Sequence, residues 1–263
     1  MSLRPYNFMS FQKYKKTLQA KKVILVVAGL FAVLFFVYFS RISYKLGDVF
    51  FGQVPKLYNV TLANLFFKQA AYPPFGKAVP YAHHQLSRTY FIQGHLDQAL
   101  LEAKEEFAVY PDHLATYYVL ALTLGYMNHP DEAIDAFSKY TAYNPNSWAA
   151  RNDKAWLQFR IGDIDGAVET LAWTADSQIH NVWVQNTYCV LMINKKEYEK
   201  AKNACTYAQD AIATITEESW GKAYPGNDPR IYSTGLQAMK TSINNNLSLA
   251  ETKLSKKKQL KAL

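Results

Sequence analysis

The sequence predicts an all-α protein: a single transmembrane helix followed by an α-solenoid of four 34-residue helix pairs with flanking capping helices. Three observations predict it. Residues 23–39 are an unbroken apolar run with no charged or strongly polar side chain. Beyond them one pattern recurs four times at a spacing of 34 residues, without insertion. After the last repeat, Leu236, Met239, Ile243, Leu247, Ala250 and Leu254 recur every three or four positions, the period of one helix face. The chain divides into a basic flank (1–22), the membrane helix (23–40) and a juxtamembrane segment with an N-terminal capping helix (41–79). The repeats (80–215), a loop (216–229), a C-terminal capping helix (230–254) and a basic tail (255–263) follow.

The 263 residues carry 49% hydrophobic and 19% charged side chains, which excludes an intrinsically disordered chain. Two Cys are too few for a disulfide-stapled miniprotein or a four-Cys zinc site. The net charge of +8 sits in the two tails: residues 1–22 sum to +6, residues 251–263 to +4, and everything between to −2. A folded face without a basic stripe excludes nucleic acid as the partner.

At 1.5 Å per residue a helix over residues 23–39 spans roughly 26 Å, close to the hydrocarbon thickness of a bilayer. Lys21, Lys22 and Arg41 flank it at snorkelling distance, and Tyr38 and Tyr44 suit the far interface. The run ends in Phe39-Ser40-Arg41, without the small-residue pair of a signal-peptide cleavage site. Arg4, Lys13, Lys15, Lys16, Lys21 and Lys22 precede the span, whereas Arg41, Lys45 and Lys56 follow it. The positive-inside rule therefore predicts a cytoplasmic N-terminus and extracytoplasmic repeats, with the bacterial inner membrane as the expected location and the bilayer as a partner of residues 23–40. Residues 1–22 read equally as an amphipathic segment on the anionic leaflet or as a basic flank that only sets topology.

The repeat is anchored by Ala99, Ala133, Ala167 and Ala201. Each has an acidic residue two positions earlier: Asp97, Asp131, Asp165 and Glu199. Twelve residues before each Ala stand Ser87, Ala121, Ala155 and Cys189, all small. Pro111 and Pro145 close helices 34 residues apart. The pattern resembles the tetratricopeptide repeat family, with small residues at position 8, Ala at 20 and Pro at 32. It gives repeats 80–113, 114–147, 148–181 and 182–215, with Leu86 and Leu120 at position 7 and Tyr90 at position 11. Position 27, usually Ala, holds Glu106, Tyr140 and Thr174 before Ala208 conforms, and the last two repeats lack the closing Pro. Helix pairs of this kind bury their apolar faces only by stacking, so both ends need caps. Residues 57–72 supply one, with Leu62, Leu65, Phe66 and Gln69 at helical spacing, and residues 230–254 the other. Lys253, Lys256, Lys257, Lys258 and Lys261 read as a solvated tail or a surface-binding one, the solvated reading favoured.

No nucleophile elbow, phosphate loop, zinc-protease or dinucleotide motif occurs, so an enzyme with a small-molecule substrate or cofactor is not expected. His83 and His84 are adjacent and point about 100° apart on a helix, so they form no chelate. The resemblance implies a concave groove lined at positions 2, 5, 9 and 12 of each first helix. Those positions hold Tyr81, His84, Arg88 and Phe91; Ala115, Tyr118, Leu122 and Gly125; Ala149, Asn152, Trp156 and Phe159; Trp183, Asn186, Val190 and Ile193. Aromatic rings with an Arg and two Asn suit a protein segment as ligand. The chaperone-tail clamp known in part of the family is broken here by Val119, Ala149 and Asp153. The expected function is a membrane-anchored scaffold that supports a membrane or cell-envelope complex. The alternatives are a chaperone-like accessory of the protein translocon and an organellar import receptor with cytosolic repeats. Cys189 and Cys205 fall at positions 8 and 24 of the fourth repeat, where they are either two buried thiols or a disulfide.

Overall fold

The computed structural model describes residues 8–74, 77–223 and 228–262. Among them the regular structure is helical, without a strand. The long α1 (Phe8–Asp48) runs into a wide turn at Val49–Gln53 and a 3-10 turn at Pro55–Leu57. Four antiparallel pairs follow α2 (Val60–Ala71): α3 (Ala82–Ile92) with α4 (Leu96–Val109), and α5 (Thr116–Tyr126) with α6 (Pro130–Tyr143). The others are α7 (Trp148–Arg160) with α8 (Ile164–Ser177), and α9 (Val182–Asn194) with α10 (Tyr198–Ala213). A short α11 (Glu217–Lys222), a 3-10 turn at Pro229–Ile231 and a final α12 (Tyr232–Ala262) complete the chain. Successive helices pack on one another from α1 to α10, and α12 packs on α10 and α9. This is a tetratricopeptide-type solenoid.

The small residues explain the pairing. Ser87, Ala121, Ala155 and Cys189, and opposite them Ala99, Ala133, Ala167 and Ala201, are all fully buried. Without long side chains at the crossing, the two backbones approach closely, and the Ser87 hydroxyl donates to the Ala99 carbonyl at 2.7 Å. The turn between paired helices has its own 34-residue signature. Gly94, Asn128, Gly162 and Lys196 adopt left-handed φ of 76°, 63°, 87° and 61°. The residue after each donates its N–H back into the first helix, from His95, His129, Asp163 and Glu197 to the carbonyls of Tyr90, Leu124, Gln158 and Met192. That bond closes a Schellman-type C-cap. Asp163 also caps α8, accepting from Gly166 N–H, and Ser147 and Asn181 do the same for α7 and α9.

Four expectations change. The apolar run lies within α1, and the side chains of residues 23–31 are open, Leu25 at 71% and Phe31 at 68%. However, among the described residues no single helix is long and apolar enough to cross a membrane. Only a pair bent by 62°, Lys21–Phe35 with Tyr38–Gln53, passes that test together. The N-terminal cap helix begins at Val60, because Pro55–Leu57 closes a separate turn and Asn59 accepts from Leu62 N–H. It buries Ala63, Phe67, Ala70 and Ala71 and leaves Leu65 exposed. The segment 216–229 is more than a loop: Thr216 and Ser219 form a capping box that starts α11. Finally, the basic tail is helical to Ala262. Lys258 pairs with Glu199 at 2.9 Å, and Lys257 donates to the Lys196 carbonyl at 3.1 Å. Leu236, Ile243, Ala250 and Leu254 of α12 are buried, as the periodicity of its cap helix anticipates. The flank up to residue 7, and residues 75–76 and 224–227, lie outside the described residues.

Candidate functional site

The inner faces of α3, α5 and α7 enclose a cavity of about 590 Å³. His84, Arg88, Phe91, Tyr118 and Leu122 line it, joined by Tyr126, Tyr140, Ser147, Ala149 and Asp153. Ala223, just past α11, closes one wall. Seven of the sixteen groove positions read from the sequence, Ala115 and Ala149 included, thus meet in one cleft across three repeats.

Each polar group in the cleft is held from behind. The Arg88 guanidinium lies 4.8 Å over the Phe51 ring and donates to Gln85 Oε1 at 2.8 Å. Burial pushes its pKa down. The Tyr118 hydroxyl donates to Asp153 Oδ2 at 2.5 Å, and its ring packs on Phe137 and Tyr140. Tyr118 is therefore part of the wall between repeats as well as a lining residue. His84 Nδ1 sits 3.1 Å from Thr116 Oγ1, and its ring touches that of His113. Burial, with the nearby Arg88 and His113, holds the His84 imidazole well below its ordinary pKa, so it is neutral at pH 7.

Behind His84 lies a polar layer that sequence reasoning missed. Glu106 is fully buried and accepts from His84 N–H at 3.0 Å, while its other oxygen lies 2.7 Å from His113 Nδ1. One turn earlier Glu102 lies 2.7 Å from His83 Nδ1 and accepts from the Tyr72 hydroxyl. Burial and Glu102 together raise the Tyr72 pKa. The departure from Ala at position 27 was the visible signal for Glu106; its partner His113 comes from the next turn and is identified only in three dimensions. Among the described residues, no group of three or more His, Cys, Asp or Glu is arranged to hold a metal.

The remaining predicted residues divide. Tyr81 stands before α3 with φ 67° and stacks on His113 at 4.1 Å, outside the cleft. Trp156 is 43% exposed and leans on Phe159, 5.4 Å away, continuing the aromatic surface. Asn152 is buried on the same helix, and its Oδ1 has no hydrogen-bond partner among the described residues. In the fourth repeat the groove positions are covered by the chain's own α12. Asn186 Oδ1 accepts from Asn246 at 3.0 Å, and Trp183 packs with Leu236 and Met239. The two cysteines are bonded, with Cα atoms 5.2 Å apart and both side chains fully buried.

No family model and no curated relative matches the sequence. Solved structures do resemble the fold. One, the thermophilic TPR protein TTC0263 of Thermus thermophilus, is 18% identical with a TM-score of 0.52, over 75% of this chain and 99% of that one. MamA AMB-1 is 17% identical with a TM-score of 0.52, over 68% of this chain and 94% of that one. A MamA RS-1 double mutant gives 14% and 0.55, over 65% and 96%. At these identities the likeness establishes the solenoid architecture.

Proposed function

We propose that this solenoid is a non-enzymatic, membrane-anchored scaffold that holds a segment of a partner protein in the cleft between α3, α5 and α7 and supports assembly of a membrane or cell-envelope complex. The observation that carries this reading is the cleft itself. A cavity of about 590 Å³ with aromatic walls and a few fixed polar groups has the makeup of a recognition site. Neutral His84 and the Tyr118–Asp153 pair offer donors and acceptors to an extended backbone. The repeats carry ten Lys/Arg against sixteen Asp/Glu, which disfavours an acidic segment.

The open apolar surface of residues 23–31 supports an anchor, and the cation bias around it supports a cytoplasmic N-terminus. The Cys189–Cys205 pairing favours an oxidising exterior for the repeats.

The test is affinity purification of the full chain in mild detergent, followed by mass spectrometry, comparing wild type with Trp156→Ala. Trp156 is exposed, so its loss should leave the melting temperature unchanged. Recovery of the defined partner should fall by the equivalent of about 2 kcal/mol, a typical hot-spot effect. Undiminished recovery by this variant, and also by Phe91→Ala on the cleft wall, would remove the groove from this reading.

A further inference from the structure

A second cleft lies apart from the groove, sharing no residue with it, in the seam where the third repeat packs on the second. Comparison of equivalent positions in successive repeats shows how unusual it is. In the preceding repeat the same cleft has Tyr117, Leu120 and Leu124 on its first helix, facing Asp131, Glu132, Asp135 and Lys139 of the second, and the Phe107 and Tyr117 rings pack 4.6 Å apart. Thirty-four residues after Phe107, Tyr117, Leu120 and Leu124 stand Thr141, Arg151, Lys154 and Gln158. They line a polar cavity of about 330 Å³ together with Gly166, Glu169 and Thr170.

The cationic contact is also reversed. In the second repeat, Lys139 on the second helix lies 5.5 Å over the Tyr117 ring on the first. In the third repeat the cation is Arg151 on the first helix, stacked 5.3 Å over Trp173 on the second. Arg151 Nε donates to the Pro145 carbonyl at 3.1 Å, which fixes the guanidinium and leaves its two terminal nitrogens without a partner among the described residues. Lys154 lies half-buried beside it and forms no hydrogen bond or ion pair among the described residues. Burial and the neighbouring Arg151 pull the Lys154 pKa down, against a smaller opposing pull from Glu169. The apolar first-helix positions of the cleft have thus become two cations, Lys154 standing where a leucine serves the first two repeats. An unpaired, half-buried ammonium is costly unless something anionic joins it.

We propose that this cleft binds a phosphate-class oxyanion, held between the Lys154 ammonium and the Arg151 guanidinium. Two cations against the single carboxylate of Glu169 leave the cavity net positive, the sign an oxyanion requires, and Thr141 and Thr170 line the same wall.

The test is calorimetric titration of the full chain in detergent, at constant ionic strength, with inorganic phosphate and separately with O-phosphoserine. The variants are Lys154→Leu, which installs the residue found at this position in the first two repeats, and Arg151→Gln. Wild type should show saturable binding, weakened about tenfold or more in either variant, a loss consistent with removing one charge-assisted contact. Tighter binding of phosphate than of phosphoserine identifies a free-ion site, and the reverse order a monoester site. Absence of saturable binding with both probes, or equal binding by a folded variant, overturns the proposal.

Discussion

His84 shows how one buried side chain makes the solenoid sensitive to acid. The imidazole is neutral in the folded chain because burial, Arg88 and His113 oppose its protonation. The unfolded chain binds that proton below about pH 6.5, so the folded state is favoured above this value and loses stability as pH falls through it. Between pH 7.5 and 5.5, wild type should lose about 1 kcal/mol more than His84→Gln, measured by thermal melting of both proteins at the two pH values. The left-handed turn residues give a second prediction. Gly162→Ala forces a Cβ into φ 87° and should cost about 1 kcal/mol, whereas Lys196→Gly relieves φ 61° and should cost nothing or stabilise slightly. Glycine or asparagine holds three of these turns at the 34-residue spacing; the positive φ of Lys196 follows from register alone, since its composition points nowhere. Glu106 was visible as a departure from the pattern. Its role was not, because a buried carboxylate needs partners that only the folded chain supplies.

At the scale of helices, small-residue spacing located all four pairs, because a close crossing tolerates few alternatives. The ends were harder to read. Glycine and proline between 221 and 229 pointed to a loop, yet the Thr216–Ser219 capping box starts α11 before them. The run of lysines after residue 255 looked solvated, yet lysine is a good helix former and the tail reaches Glu199 and Lys196. The last pair depends on α12: Ile243 is fully buried against it, so Ile243→Ala should lower stability by about 2–4 kcal/mol. Truncation after Thr216 bares Val182, Ala208 and Ile212 together and should yield insoluble protein, scored by its fraction in the pellet. At the other end Ser43 donates to Gln69, the Tyr44 ring meets Phe67, and a Cβ on Gly47 would stand 2.5 Å from the Phe67 ring. Deletion of residues 1–40 should therefore leave a folded helical protein, while deletion of residues 1–53 should melt the cap, as followed by circular dichroism.

For the whole molecule, topology and redox state can be measured together. A reporter active only in the cytoplasm, fused after Leu263, should be silent if six cations before the apolar run hold the N-terminus inside. Alkylation of the unfolded, unreduced protein should label neither Cys189 nor Cys205, and reduction should expose both, as read by mass. The packing of α1 on α2 has a further mechanical consequence. The helix that carries the apolar segment also forms the first wall of the solenoid, with Gly47 seated on Phe67 and Phe51 beneath Arg88 of the cleft. No slack tether separates a proposed anchor from a proposed grip. A load applied to a captured segment would pass through Tyr38–Gln53 and around the 62° bend into Lys21–Phe35, so that grip and proposed anchor form the two arms of a bell crank.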